Sequence, residues 1–116
     1  MKKLIVGLAV FLVSTAAMSD GYYRARTIIG AGIFYKADES MLLIDFDGSK
    51  AGMPECANTG RLAITSSVPH YKELVSIAMT AYVSKESNVD IYVKETCDYS
   101  SNSQDILGIK MGSMVW

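Results

Sequence analysis

The sequence predicts a mainly β domain with a single helix, set between the third and fourth of five strands. Three observations lead there. Half of the 116 residues are hydrophobic and 20% are charged, a balance that excludes an intrinsically disordered chain. The apolar residues repeat at helical spacing in one stretch, 68–85, and short β-branched or alternating runs lie on both sides of it. Clusters of Gly, Pro, Asn and Asp separate those runs at short intervals, as turns do. A chain of this length fits one compact domain, and no internal repeat divides it.

Residues 1–19 read as an address rather than as part of that domain. Lys2 and Lys3 make a positive start, an apolar run of 10 residues follows at 4–13, and small residues occupy 14–17. This is the three-part pattern of a secretory signal peptide. Ala17 and Ser19 suit the −3 and −1 positions of a cleavage after Ser19. The apolar run falls short of the roughly 20 residues that a spanning helix needs. Removing 1–19 leaves a single domain at 20–116 and takes two lysines away, so the formal net charge moves from −1 to −3. The expected product is exported, periplasmic or secreted, with no membrane span in its mature form. Its acidic balance argues against a phosphate-facing basic patch, and so against nucleic acid as a partner.

In an oxidising compartment Cys56 and Cys97 are expected to pair. The loop they would close is about 40 residues, and the chain-entropy model values such a link at roughly 4 kcal/mol. With one histidine and two cysteines, no zinc-finger or zinc-ribbon spacing can be assembled, and no metal or cofactor is expected.

The elements follow in order. Residues 24–35 (RARTIIGAGIFY) read as the first strand, bent at Gly30 and Gly32. A polar turn at 36–40 leads to a second strand at 41–45, hairpinned to the first. The loop 47–60 is rich in turn residues and is anchored by Cys56, and 61–65 (RLAIT) is the third strand. The helix spans 68–85, with Pro69 in its first turn and Ser66 or Ser67 as its cap. Tyr71, Leu74, Val75, Ala78 and Tyr82 form its apolar stripe, widened by Ile77 and Ala81. Strict alternation at 89–94 places Val89, Ile91 and Val93 on one face of the fourth strand. After Cys97 comes a polar loop at 98–104, then the last strand at 105–111. The order β-β-β-α-β-β is that of an OB-type five-stranded Greek-key barrel.

Within that frame, the segments HYKELVSIAMTAYVSKESNVDIYV and DYSSNSQDILGIKM resemble the B subunits of bacterial AB5 toxins, of the enterotoxin and subtilase-cytotoxin types. The shared pattern is helix, Ala-Tyr-aliphatic, short polar turn, alternating strand, polar loop and final aliphatic strand. It covers residues 61–111, and the subtilase-cytotoxin-like members also place a Cys shortly after the fourth strand. The resemblance implies a pentamer-like homo-oligomeric ring with helices lining a central pore. It also implies a glycan receptor on an outer face and an exported A subunit as a possible partner. The sequence departs from the enterotoxin type in two ways. That type's disulfide, from an N-terminal helix to the fourth strand, is absent, and its sugar-stacking tryptophan falls near Lys94.

Catalysis has little to work with. His70, the only histidine, stands at the start of the helix with no nucleophile and acid at motif spacing. Asp45, Asp47 and Gly48 fail as a calcium loop, because its sixth and twelfth positions fall on Lys50 and Cys56. Gly30 and Gly32 open a GxGxxG match that ends on Tyr35. No catalytic residue is expected.

Binding chemistry is better supplied. The chain has seven tyrosines, more than a small core satisfies, so several belong at surfaces or interfaces. Tyr99 stands among Asp98, Ser100, Ser101 and Asn102, a ring for stacking beside carboxylate, hydroxyl and amide groups. Their loop joins strands four and five, through which OB barrels bind oligosaccharides, and these five residues are the candidate ligand site. Tyr71, Ile77 and Tyr82 on the helix, with Met114 and Trp116 of the apolar tail, are the candidate subunit interface. Met41, Met53, Met79 and Met111 add adaptable packing. The expected function is a non-catalytic, ring-forming glycan- or receptor-binding protein. The competing expectation is a monomeric periplasmic binding or inhibitor protein with a protein partner.

Overall fold

The computed structural model describes residues 21–116; the leader and its cleavage site lie outside the described residues. The elements are β1 (Gly21–Arg26), β2 (Ile28–Lys36), β3 (Glu39–Phe46), β4 (Arg61–Thr65), α1 (Tyr71–Ser84), β5 (Val89–Val93) and β6 (Ser103–Met111). They form one sheet in the order β1-β5-β6-β4-β3-β2. The β4–β6 pair is parallel and every other pair antiparallel. β1 and β2 stand at opposite ends of the sheet, yet only Thr27 separates them in sequence. The sheet therefore closes on itself through one bent segment, the OB-type arrangement with one helix that the element order predicts.

The expected first strand is thus two strands, and the bend falls earlier than the glycines. Ala25 takes φ = 54°. Register slips on the β5 side between Tyr23 and Arg26, and on the β3 side between Ile28 and Gly30. Gly32 runs through an unbroken ladder. Two carboxylates stabilise the corner by accepting N–H groups that the ladder leaves over. Asp90 Oδ1 takes the Ala25 N–H at 2.9 Å and Asp47 Oδ1 takes the Thr27 N–H at 2.7 Å.

The core follows the period-two patterns. Leu42, Ile44 and Phe46 from β3, Val89, Ile91 and Val93 from β5, and Ile106 and Ile109 from β6 are buried together with Tyr23 and Ile28. The helix lies against β2 and β6 and contributes Leu74, Ala78 and Ala81 to the same core. It starts at Tyr71, three residues later than its periodicity suggests, and no side chain caps it. The serines expected to do so are engaged at strand ends. Ser66 Oγ accepts the Ser40 N–H at 2.9 Å, and Ser67 Oγ pairs with Thr65 Oγ1 at 2.7 Å. Lys85 ends the helix in the left-handed conformation, and the Glu86 N–H returns to the Ala81 carbonyl at 3.1 Å.

Two connections shape the surface. The β2–β3 hairpin turns through Ala37 and Asp38, both at positive φ (54° and 62°), the requirement of a tight two-residue turn that matches strand twist. The long loop after β3 is tied down in three ways. Cys56 and Cys97 form a disulfide with Cα atoms 6.2 Å apart. Arg26 donates to the Asp47 and Ser49 carbonyls at 2.9 and 2.6 Å. Lys50 pairs with Asp45, donates to the Gly60 carbonyl at 2.8 Å and lies 4.2 Å over the Phe46 ring. Asp45 and Asp47 are therefore occupied in holding the chain's own loop. Among the described residues no helix is long and apolar enough to cross a membrane.

Candidate functional site

The loop between β5 and β6 is built around one carboxylate. Asp105, the third residue of β6, is 1% exposed. It accepts the Thr96 hydroxyl, the Asp98 N–H at 2.9 and 3.0 Å, and the Tyr99 N–H at 3.0 Å. Those donors replace the water that a buried charge loses. Cys97 sits inside this turn, so the disulfide fixes the same segment from the other side. Asn102 closes the loop: its Oδ1 accepts from Ser100 Oγ at 2.9 Å, Ser103 Oγ at 3.2 Å and Arg61 Nη2 at 3.1 Å.

That loop forms one wall of a cleft of about 340 Å³, and the β2–β3 hairpin forms the other. Tyr99, Ser100, Ser101 and Asn102 line it from one side, Phe34, Lys36 and Glu39 from the other, and Arg61 of β4 lies between. Asp98 is outside the lining; it is exposed and contributes its N–H to Asp105. Tyr99 is half-buried against the core. Burial first, then the carboxylates of Asp105 and Asp98, raise its phenol above the ordinary value, so it stays a neutral hydrogen-bonding group. The cleft thus offers two aromatic rings, two cations, the Glu39 carboxylate and a row of small polar side chains.

Local sequence pattern does not reach Phe34, Lys36, Glu39, Arg61 or Asp105. The signal that does is topological. Parallel pairing of β4 with β6 sets Arg61 opposite Ser103, and antiparallel pairing of β4 with β3 sets the β2–β3 hairpin beside the same strand. A smaller cleft, about 100 Å³, lies between Tyr22, Tyr23, Gly52, Glu95 and Gln104. Tyr23 donates to Gln104 Oε1 at 2.7 Å, and burial followed by Glu95 pushes its phenol up to about 12.

The candidate interface residues are scattered rather than joined. Tyr71 and Ile77 are half-buried against the chain's own core; burial raises the Tyr71 phenol, whose hydroxyl has no partner. Tyr82 is exposed and borders a cleft of about 390 Å³ with Ile29 and Val83. Together with Met79, which lines a neighbouring cleft with Val83, these make an apolar surface on β2 and α1; Ile33 is exposed as well. Met114 is exposed, and Trp116 folds back onto β1, β5 and β6, edge-on to Tyr22 and Tyr92. His70 is exposed at the helix start.

No protein-family model matches the chain, and no curated protein matches it in sequence. Solved structures do match in shape. A variant of the Salmonella typhi PltB homopentamer aligns with TM-score 0.64 and 15% identity, over 81% of this chain and 86% of that one. A second PltB homopentamer variant, solved with Neu5Ac-α-2-3-Gal-β-1-4-GlcNAc glycans, aligns with TM-score 0.63 and 15% identity over the same shares. The subtilase cytotoxin SubAB assembly aligns with TM-score 0.63 and 16% identity, over 82% of this chain and 87% of that one. The likeness to toxin B subunits read from residues 61–111 is thus a likeness of fold that extends over four-fifths of the chain.

Proposed function

We propose that the mature protein is an exported, non-catalytic glycan-binding module that works as a ring of identical subunits. The observation that carries this reading is the position of the Tyr99 cleft. It lies between the β2–β3 hairpin and the β5–β6 loop, which are the strand 1–2 and 4–5 loops of an OB barrel when β1 and β2 count as one bent strand, and there OB barrels take oligosaccharides. Phe34 and Tyr99 supply rings for a pyranose face, and Ser100, Ser101, Lys36 and Arg61 supply groups for its hydroxyls or for a carboxylate. Of the solved neighbours, PltB is a homopentamer and was solved with a sialylated glycan; both properties are carried to this chain as part of the proposal.

The exposed apolar surface of Ile29, Met79, Tyr82 and Val83, around two clefts that share Val83, supports assembly, since apolar surface of this kind marks association sites. A ring multiplies weak single-site affinity by presenting several copies on one face. The test has two arms. Light scattering of the oxidised mature protein should give a discrete assembly of about five copies. Binding to a surface coated with Neu5Ac-α-2-3-Gal-β-1-4-GlcNAc should fall about tenfold or more in Tyr99→Ala. A monomer at micromolar concentration removes the ring and favours the binding or inhibitor protein. Sugar binding that is unchanged by Tyr99→Ala and lost with Glu95→Ala moves the site to the smaller cleft.

A further inference from the structure

We propose a second carbohydrate contact on the outer face of β1, β5 and β6, in which the indole of Trp116 is a fixed platform for an acceptor-bearing pyranose. The inference rests on the glycan-binding reading but not on the Tyr99 cleft, with which it shares no residue.

The segment after β6 is fastened at several points. Lys110, buried at 5% exposure, donates from Nζ to the Gly112 carbonyl at 3.2 Å and the Met114 carbonyl at 2.5 Å. Its charge is met by Asp90 at 3.2 Å. Arg24 donates to the Trp116 backbone oxygen at 3.4 Å. The indole then stands with its outer edge over Gly108, where a Cβ would come within 3.0 Å of Cη2. Tyr22 and Tyr92 flank it with ring centres at 5.7 and 6.1 Å.

Trp116, with its ring held on three sides in this way, is still 41% exposed as a residue. No hydrogen bond engages its Nε1–H among the described residues. Beside it, the Arg24 side chain is 49% exposed, fixed by Asp90 at 3.0 Å and by the Tyr22 ring at 4.2 Å. The face therefore combines an immobilised aromatic surface with the donors of Arg24 and Nε1, beside the oxygens of Trp116, Tyr22 and Tyr92. A pyranose stacks its C–H face on such a ring and turns hydroxyl, N-acetyl or carboxylate oxygens toward Arg24 and Nε1. Because both groups are already ordered, binding incurs little of the side-chain entropy that usually weakens small-ligand contacts.

Trp116 is the only tryptophan, so its emission reports this face alone. The oxidised protein is titrated with Neu5Ac-α-2-3-Gal-β-1-4-GlcNAc and with Gal-β-1-4-GlcNAc, following emission and, in parallel, calorimetric heat. The expected result is a saturable emission change that survives Tyr99→Ala. Arg24→Ala should weaken it about fivefold, and calorimetry on Trp116→Ala should show about a tenfold loss that Trp116→Tyr partly restores. Val115→Ser, at a position 95% exposed, should change nothing. Calorimetric binding with unaltered emission, and with unaltered affinity in Trp116→Ala, overturns this contact and leaves the Tyr99 cleft standing. Absence of heat with both sugars overturns the two together.

Discussion

Strand β6 holds a piece of backbone at each end with a buried charge, and the two ends do so with opposite chemistry. At its start the Asp105 carboxylate gathers two N–H groups and a hydroxyl from residues 96–99. Near its end the Lys110 ammonium gathers two carbonyl oxygens from the tail. Asp105 forms no ion pair among the described residues and is balanced by dipoles, whereas Lys110 faces Asp90. The larger difference is covalent. The Asp105 loop is closed on both sides, by β6 and by the Cys56–Cys97 bond, while residues 112–116 are held on the barrel by hydrogen bonds and ring contacts alone. One strand therefore supports a loop closed at both ends and a strap whose order depends on a few polar contacts and one indole.

The disulfide is the largest lever on that contrast. Replacing Cys56 and Cys97 together by Ser should reduce unfolding free energy by about 4 kcal/mol on the chain-entropy model, measured by denaturant titration. The loss should loosen residues 96–102 and leave Trp116 emission unchanged. Asp105→Ala comes next. It strands the Asp98 and Tyr99 N–H groups and the Thr96 hydroxyl, and should destabilise by about 3 kcal/mol, with Asp105→Asn recovering roughly half. If Asp105→Asn proved as damaging as Asp105→Ala, charge rather than hydrogen-bonding shape would be what the loop requires.

The two ends were also unequally legible in the sequence. The barrel order, the disulfide partners and the Tyr99 loop follow from local signals: β-branched runs, one helical stripe, two cysteines in an exported chain. Tyr99, Ser100, Ser101 and Asn102 do line the cleft opposite the hairpin. Its other wall comes from residues some 60 positions away, joined through the β3–β4 and β4–β6 pairings, which no window of local periodicity contains. Asp90, Asp105 and Lys110 look like ordinary solvent-facing polar positions in alternating strands. They are buried because a bend, a loop and a tail cover them, and long-range covers leave no periodic trace. The same reason hid the break at Thr27: carboxylates from Asp47 and Asp90 stabilise it, not the nearby glycines.

Removing the tail's charge partner should cost less than either change at the loop. In Lys110→Met, Asp90 keeps Arg24 and the Ala25 N–H, so the loss should be about 2 kcal/mol, below the cost of stranding a wholly unpaired charge. The Ala25 N–H above all, then Lys110 and Arg24, hold the Asp90 carboxyl below its ordinary 3.8 against the opposing effect of burial. A lowered folded value means this stabilisation is present above about pH 4 and is lost as the pH falls through the folded value. Stability measured between pH 2 and 5 should therefore fall less steeply in Asp90→Asn than in the wild type, and Lys110→Met should lie between them. An identical acid slope in all three would place the charge balance of the tail elsewhere.

The smallest effect on stability should carry the sharpest signal about the strap. Gly108 lies in β6 with a backbone that any residue can adopt, so alanine there loses nothing to φ and gains the usual benefit of a less flexible unfolded chain, about 0.5 kcal/mol. Its methyl, however, occupies the place of the indole edge, 3.0 Å from Cη2 and 3.2 Å from Cζ2. The Tyr92 Cβ, 3.7 Å away on the neighbouring strand, cannot yield; the indole, held only by ring contacts and a few hydrogen bonds, can. Gly108→Ala should therefore leave unfolding free energy within about 0.5 kcal/mol of wild type while Trp116 shifts to a more solvent-like emission. A matching loss of sugar response at Trp116, with the Tyr99-dependent binding intact, would separate the two ends of β6 by function as well as by chemistry. An unshifted emission would mean that the indole sits off Gly108 in solution, and the strap would then have only Lys110 and Arg24 to hold it.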